Sequence, residues 1–302
     1  MSFARLQKKI DELGNPTVVG LDPDLAHIPP AILERHFQKH GEGIEAAALA
    51  VYEWGTGLVD ALCDVVPAVK PQSAFYEQFG SPGALALQKT CEYAQAKGMY
   101  VILDAKRGDI GTTAAAYARA YLGAVQIGSS SVVPFSADAL TVNAYLGSDG
   151  IMPFLETACE FDKAVFALVK TSNPSAGELQ DKVVGETMVY TLVGDLMAEI
   201  SKDTIDEYGF SRVGAVVGAT YPEESAFLRA RLKNTFFLVP GYGAQGGSAK
   251  DVAVAFDGRG KGAIVNSSRG IIAAWKKRSG DYTDAAREEA ILMREALREA
   301  VY

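Results

Sequence analysis

The sequence predicts an α/β protein of the (β/α)8 barrel (TIM barrel) class, for three reasons. Eight short runs rich in Val, Ile, Leu and Phe recur along the 302 residues, with segments of helical periodicity between them. No GxGxxG follows the first run and no GxxxxGK[ST] occurs, so the competing doubly wound sheet lacks support. No linker rich in Pro, Gly or Ser divides the chain, and we therefore expect a single domain over residues 1–302.

Each predicted element follows from local composition. Segment 1–14 carries apolar residues at helical spacing, and so do 44–62, 83–96 and 188–200. The connections after the first and fifth strands are longer than usual, which predicts extra helices or a lid there. The eight predicted strands, each a short run with β-branched or other large apolar residues, are 17–21, 65–69, 100–103, 139–143, 164–169, 213–218, 236–239 and 263–266.

Charge and hydropathy exclude several classes of partner. The net charge of −8 and the pI near 5.1 argue against nucleic acid or an anionic membrane, because both attract basic surfaces. No run approaches the roughly 18 apolar residues of a membrane span, and the N-terminus lacks the apolar core of a signal peptide. We therefore expect a cytoplasmic protein. A small anionic ligand would need Lys or Arg side chains close to it.

The most informative stretch is VILDAKRGDIGTT at 101–113, which places two carboxylates around one lysine where a strand is predicted to end. Because side chains alternate along a strand, Asp104 and Lys106 share one face. Gly108 indicates a loop, so Asp109 is expected on a different backbone element. A mixed charge cluster is usually a solvated loop. Its position after a barrel strand, where chemistry is usually located, favours a proton-transfer site.

Polar residues also follow most of the other predicted strands. Taken singly, each has an alternative interpretation as a helix cap, a turn residue or a solvated side chain. In a barrel, however, they would all line one mouth, and that shared position favours a binding site. These residues are Asp22, Lys70, Asn143, Thr171, Ser172 and Arg269.

A phosphate site is predicted after the seventh and eighth strands. Residues 240–247 read PGYGAQGG, and glycine permits close backbone approach to a ligand and donation of several N–H groups. Flexible loops share this composition, but barrels often bind phosphate with these two loops. Arg269 follows the eighth strand, and its planar guanidinium suits bidentate contact with a phosphate.

These residues resemble the orotidine 5'-phosphate decarboxylase family. The family signature is Asp, any, Lys, any, any, Asp, Ile and then Thr. The strand-end residues Asp22, Lys70 and Ser172, the PGYGAQGG segment and Arg269 occur in the family order as well. The longer loops and the VKTSNPS segment resemble the larger bacterial branch of the family. The signature positions here are Asp104, Lys106, Asp109, Ile110 and Thr113.

The resemblance implies a composite active site in a homodimer. Asp109, with Ile110 and Thr113, would come from the neighbouring subunit, so that each site is shared between two chains. The substrate would be orotidine 5'-phosphate and the product uridine 5'-monophosphate, in the last step of de novo pyrimidine nucleotide synthesis. The four catalytic residues would form an alternating charged row: Lys70, Asp104, Lys106 and Asp109.

The resemblance also assigns the parts of the substrate. Asp22 would bind ribose hydroxyls, and Ser172 the pyrimidine. Gln245 and Arg269 would bind the 5'-phosphate. The further residues implied to bind substrate are Asn143, Pro240, Gly246 and Gly247.

The chemistry of such a reaction fits a charged row without a metal or cofactor. Loss of CO2 from C6 leaves a vinyl carbanion whose lone pair lies in the ring plane, so the ring cannot delocalise it. The Lys106 ammonium would stabilise that charge and then protonate C6, while the flanking aspartates favour its cationic form.

Two alternatives compete with this interpretation. Related barrels with a similar DxKxxD bind Mg²⁺ and act on sugar phosphates as decarboxylases or aldolases, using an acidic residue after the second strand. Here that residue is Lys70, whose ammonium should repel Mg²⁺. The second alternative is a catalytically silent module that binds a phosphorylated nucleotide. Retention of all four charged residues disfavours it.

Overall fold

The computed structural model describes residues 2–243, 246–278 and 280–302, and its central feature is a closed barrel of eight parallel strands. Each strand pairs with its neighbours in the parallel sense, and the eighth strand closes the barrel against the first. The predicted fold class is confirmed. The strands are β1 (Thr17–Leu21), β2 (Ala68–Pro71), β3 (Tyr100–Arg107), β4 (Ala139–Val142), β5 (Ala164–Lys170), β6 (Val213–Val217), β7 (Phe237–Val239) and β8 (Ala263–Ser267).

Helices alternate with the strands and pack their apolar faces against the outside of the barrel. No helix within the described ranges has both the length and the hydrophobicity needed to cross a lipid bilayer. The helices are α1 (Ser2–Leu13), α2 (Pro30–His40), α3 (Ile44–Leu62), α4 (Ser73–Glu77), α5 (Gly80–Ala96), α6 (Gly111–Tyr121), α7 (Met152–Glu160), α8 (Val189–Ser201), α9 (Pro222–Arg231), α10 (Ala249–Ala253), α11 (Arg269–Ile272) and α12 (Tyr282–Val301).

The N-terminal helix α1 closes one end of the barrel. Phe3 is buried, and its ring centroid lies 4.9 Å from that of Phe166 and 5.0 Å from that of Phe236. Tyr100, the first residue of β3, belongs to the same apolar cluster, so α1 covers the amino ends of the strands. Side chains of this size each contribute about 2–3 kcal/mol when fully buried. The carboxyl ends of the strands are left for a binding site.

Two predicted strand bounds are wrong in an informative way. β3 continues to Arg107, four residues past the predicted end at Leu103. The prediction ended early because the apolar run stops there and charged residues follow. β2 begins at Ala68 rather than at residue 65. The amide groups of Val65 and Val66 both donate to the carbonyl of Leu62, so these buried valines belong to the turn after α3.

The connections after β1 and β5, where extra helices or a lid are predicted, contain additional secondary structure. The segment after β1 holds α2, and the segment after β5 holds a two-stranded antiparallel ribbon of Val183–Val184 and Thr187–Met188. A second ribbon, Val125–Ile127 with Ser130–Val132, lies between α6 and β4 and was not predicted. Its strands have three residues each, which is too short for a periodicity signal.

Candidate active site

A cavity of about 520 Å³ opens at the carboxyl ends of the barrel strands, a volume suited to a small ligand. Residues at the ends of all eight strands line it. This is the arrangement that the strand-end residues predict. The sequence-predicted residues that line the cavity are Asp22, Lys70, Asp104, Lys106, Thr171, Ser172, Pro240 and Arg269.

Other predicted residues lie outside this cavity. Gln245 is outside the described residues. Asn143 caps the turn Ala144–Leu146, and its Oδ1 accepts the N–H of Tyr145 at 3.0 Å. The remaining predicted residues that do not line the cavity are Asp109, Ile110, Thr113, Gly246 and Gly247.

Three charged side chains form a continuous row in the cavity. Lys70 Nζ lies 2.8 Å from Asp104 Oδ2, and Lys106 Nζ lies 2.6 Å from Asp104 Oδ1. The side chains of Lys70 and Asp104 are only 6% and 9% exposed, whereas that of Lys106 is 46% exposed. The carboxylate is therefore the buried centre of the row, and Lys106 is the cation that a ligand can approach.

The surroundings of Asp104 keep it ionised. Burial alone would raise the pKa of this carboxyl, but Lys70 and Lys106 outweigh burial and hold the pKa well below its ordinary value of 3.8. Gln72 Nε2 donates to Oδ2 at 3.0 Å, and the hydroxyl of Thr141 donates to Oδ1 at 2.9 Å. Each oxygen thus accepts two hydrogen bonds, which fixes the carboxylate in one orientation.

Lys70 also remains charged despite its burial. Desolvation alone would lower the pKa of this amine, but Asp104 and Asp22 more than compensate and raise it above 10.5. Lys70 is therefore a buried cation that interacts electrostatically with both carboxylates.

The backbone of Lys106 adopts a conformation that is rare for its residue type. Its φ is 48°, in the left-handed region, although it lies within β3. Such a conformation costs about 1–3 kcal/mol and persists only where surrounding contacts impose it. The strain is located at the residue that presents its ammonium to the cavity.

Asp22 offers an acceptor at the rim of the cavity near β1. Its Oδ1 is buried, and no donor among the described residues reaches it. A ligand hydroxyl would satisfy this oxygen. Gly20 allows the neighbouring loop to approach, because a Cβ at this position would lie 1.8 Å from Ser268 Oγ.

The segment after β5 is held by a set of side-chain contacts. Gln180 Oε1 accepts the N–H of Thr171 at 2.9 Å, and its Nε2 donates to the hydroxyl of the same threonine at 2.7 Å. Beneath them, the fully buried Lys170 forms an ion pair with Asp181. These contacts fix the backbone that presents Ser172 to the cavity.

The loop after β7 only partly matches the expectation of a backbone phosphate cradle. Gly243, Gly246 and Gly247 each donate their N–H to a carbonyl within the same loop, at 2.8, 2.9 and 3.2 Å. Arg269 lines the cavity and is exposed, and within the described residues no carboxylate pairs with it. Its guanidinium is therefore available to an anionic ligand.

Several cavity residues were missed by sequence reasoning. The sequence contained a signal for three of them. Gln72 stands two residues after Lys70, and Thr141 is a polar residue in an otherwise apolar strand, so alternation places both toward the mouth. Asn266 lies within β8, where it is likewise a polar residue in an apolar strand, and the other three belong to loops, where no periodicity fixes side-chain direction. The missed residues are Gln72, Thr141, Asn173, Gln180, Asn266 and Ser268.

The chain is similar to proteins of known name. A protein named orotidine 5'-phosphate decarboxylase from Rhodopirellula baltica is 43% identical, over 99% of both chains. One of the same name from Caldicellulosiruptor bescii is 41% identical, over 90% of this chain and 89% of that protein.

Solved structures share the fold. A putative orotidine 5'-phosphate decarboxylase from Streptomyces avermitilis superposes with a TM-score of 0.78 at 34% identity, covering 99% of this chain and 95% of that one. The OMP decarboxylase of Leishmania donovani gives 0.72 at 32% identity, covering 98% and 99%. Residues 53–280 match the family model described as Orotidine 5'-phosphate decarboxylase / HUMPS family. The chain belongs to this family.

Proposed function

We propose that the protein decarboxylates orotidine 5'-phosphate to uridine 5'-monophosphate. The observation that carries this proposal is the position of the Lys106 ammonium. It lies 2.6 Å from the ionised, buried carboxylate of Asp104, and it is accessible from the cavity. The family and the relatives of the same name support the choice of substrate. The reaction supplies uridine nucleotide at the end of pyrimidine synthesis.

In the proposed step, the bond between C6 and the carboxyl carbon breaks and CO2 leaves. The electron pair stays on C6 in the plane of the ring, where the π system cannot accept it. The Lys106 ammonium lies beside C6, stabilises the developing charge and transfers a proton to it. The neutral amine then takes a proton from water. All atoms and charges balance without a cofactor or metal.

The surrounding residues would orient the substrate. Arg269 suits the 5'-phosphate because its guanidinium is exposed to the cavity and unpaired within the described ranges. Asp22 suits ribose hydroxyls through its unpartnered buried oxygen. Ser172 would contact the pyrimidine. Binding energy from the remote phosphate can organise the reacting end of the site.

We further propose that two chains share each site in a homodimer. Asp109 does not line the cavity of its own chain, although its family role places it in the charged row. Ile110 beside it is 55% exposed, and Tyr145 on the adjacent turn is 78% exposed. Exposed apolar side chains around a carboxylate are a feature of association surfaces. We propose that Asp109 reaches the cavity of a partner subunit when two chains associate through this surface.

The Mg²⁺-dependent alternative fits the site poorly. Both oxygens of Asp104 already contact an ammonium group, and Lys70 stands where that chemistry uses a second carboxylate. A divalent cation would have to displace two buried or half-buried cations. Location in the cytoplasm, as the sequence predicts, is compatible with a biosynthetic role.

The test is incubation of purified protein with orotidine 5'-phosphate and excess chelator. We expect release of CO2 and accumulation of uridine 5'-monophosphate at the same rate as without chelator. Loss of activity that added Mg²⁺ restores would favour the metal-dependent alternative. Nucleotide binding without turnover would instead identify a silent binding module.

A further inference from the structure

The pairing between β3 and β4 is interrupted where the charged row lies. Leu103 pairs with Leu140, whereas Arg107 pairs with Val142, so four steps along β3 match two steps along β4. β3 therefore carries two extra residues in a bulge. Lys106 lies within this bulge, and its left-handed φ of 48° accommodates the additional length.

Thr141 lies opposite the bulge and supplies the acceptor that the strand ladder lacks. Its Oγ1 accepts the N–H of Ala105 at 3.0 Å and the N–H of Lys106 at 2.9 Å. The same hydroxyl donates to Asp104 Oδ1 at 2.9 Å. A hydroxyl has one donor and two acceptor sites, and here all three are occupied. Thr141 is 1% exposed, and its bond to Asp104 is buried.

We propose that Thr141 is a positioning residue for the decarboxylation, an inference that rests on the proposed function. Its hydroxyl holds the strained backbone of Lys106 and also contacts Asp104 Oδ1, the oxygen that the Lys106 ammonium approaches at 2.6 Å. One group thus fixes the lysine at its backbone and at its head group. Loss of the hydroxyl would release both constraints together.

Thr141 acts through its neighbours and not as a hydrogen-bonding ligand of the substrate. It lines the cavity, but its hydroxyl has no free donor or acceptor site for a bound nucleotide. Its removal should therefore impair the chemical step more than binding. This separates a positioning role from a role in substrate recognition.

Two substitutions test the proposal. Thr141→Val keeps the shape but removes the hydroxyl, and we expect kcat to fall about 100-fold while KM changes by less than about threefold. Thr141→Ser keeps the hydroxyl and should retain kcat within about fivefold of the wild type. Wild-type kcat in the valine variant would overturn the proposal. So would an equal loss in both variants, because the methyl group would then be responsible.

Amide hydrogen exchange in the unliganded protein provides a readout independent of activity. The Ala105 and Lys106 amides should exchange slowly in the wild type and in Thr141→Ser, and rapidly in Thr141→Val. Exchange at loop-like rates in the wild type would refute the inference. Wild type and serine variant suffice for this comparison if the valine variant fails to fold. Absence of turnover by wild-type protein would instead refute the proposed function without changing the exchange pattern.

Discussion

At the scale of single residues, the site is defined by the carboxylate of Asp104, which contacts the ammonium groups of Lys70 and Lys106. Alternation along a regular strand predicted that Asp104 and Lys106 share a face. The two side chains do meet at 2.6 Å, but the strand is bulged there, so regular alternation does not account for the contact. The sequence could not reveal that Lys106 has a left-handed φ or that Thr141 supports it. A bulge depends on the register between two strands, and no local pattern in either strand encodes it.

The ionisation of Asp104 can be followed directly. Because its folded-state pKa is lowered, the ionised carboxylate contributes stability above the ordinary pKa of 3.8, and this contribution is lost as pH falls through the folded-state value. Carboxyl ¹³C NMR should therefore show Asp104 ionised at pH 4 and below until the protein unfolds, with assignment by Asp104→Asn. A titration midpoint near or above pH 4 would contradict the arrangement.

At the scale of elements, the parts of the site differ in how well the sequence predicts them. Strand cores are predictable because apolar runs are buried on both faces. The polar ends of strands are harder to predict. The sequence predicts that β3 ends at Leu103, just before its charged residues, whereas the strand continues to Arg107. Loop geometry depends on close approaches between segments distant in sequence. Gly218 is an example, since Ser172 packs directly against it.

Substitution of Gly218 tests the role of this approach. In Gly218→Ala, the new Cβ would lie 2.9 Å from the Cβ and 3.0 Å from the backbone N of Ser172, so the segment after β5 must shift. We expect kcat/KM for orotidine 5'-phosphate to fall on the order of tenfold to a hundredfold, with the fold retained. Steady-state kinetics and circular dichroism measure both quantities.

Gly258→Ala provides the matched control, because a Cβ there meets no atom within 4 Å. It should leave kcat/KM unchanged. An unchanged kcat/KM in Gly218→Ala would show that the position of the Ser172 segment is not important for turnover.

At the scale of the whole molecule, the barrel follows from the alternation of eight apolar runs with amphipathic segments. That pattern predicted the class, and α3 was predicted with its observed bounds, Ile44–Leu62. That the chain forms one domain and that it dimerises stay predictions. Association between chains leaves little trace in periodicity, and the clues came from the family signature and from exposed apolar residues such as Ile110.

Mixing of inactive subunits tests whether sites are shared. Lys106→Ala and Asp109→Ala homodimers should each be inactive. A mixed dimer would contain one intact site, so random exchange of equal amounts should restore about one quarter of wild-type activity. Native mass spectrometry verifies that mixed dimers form. If they form and activity does not return, Asp109 acts within its own chain.

The most direct test of the account is the rate of CO2 release from orotidine 5'-phosphate by the Lys106→Ala variant. We expect kcat to fall at least about 1,000-fold, because the variant lacks both the charge beside C6 and the proton donor. Lys233→Ala, in the exposed turn between α9 and β7 at the opposite end of the barrel, should match the wild type. A near-wild-type rate in a folded Lys106→Ala protein would contradict the central claim.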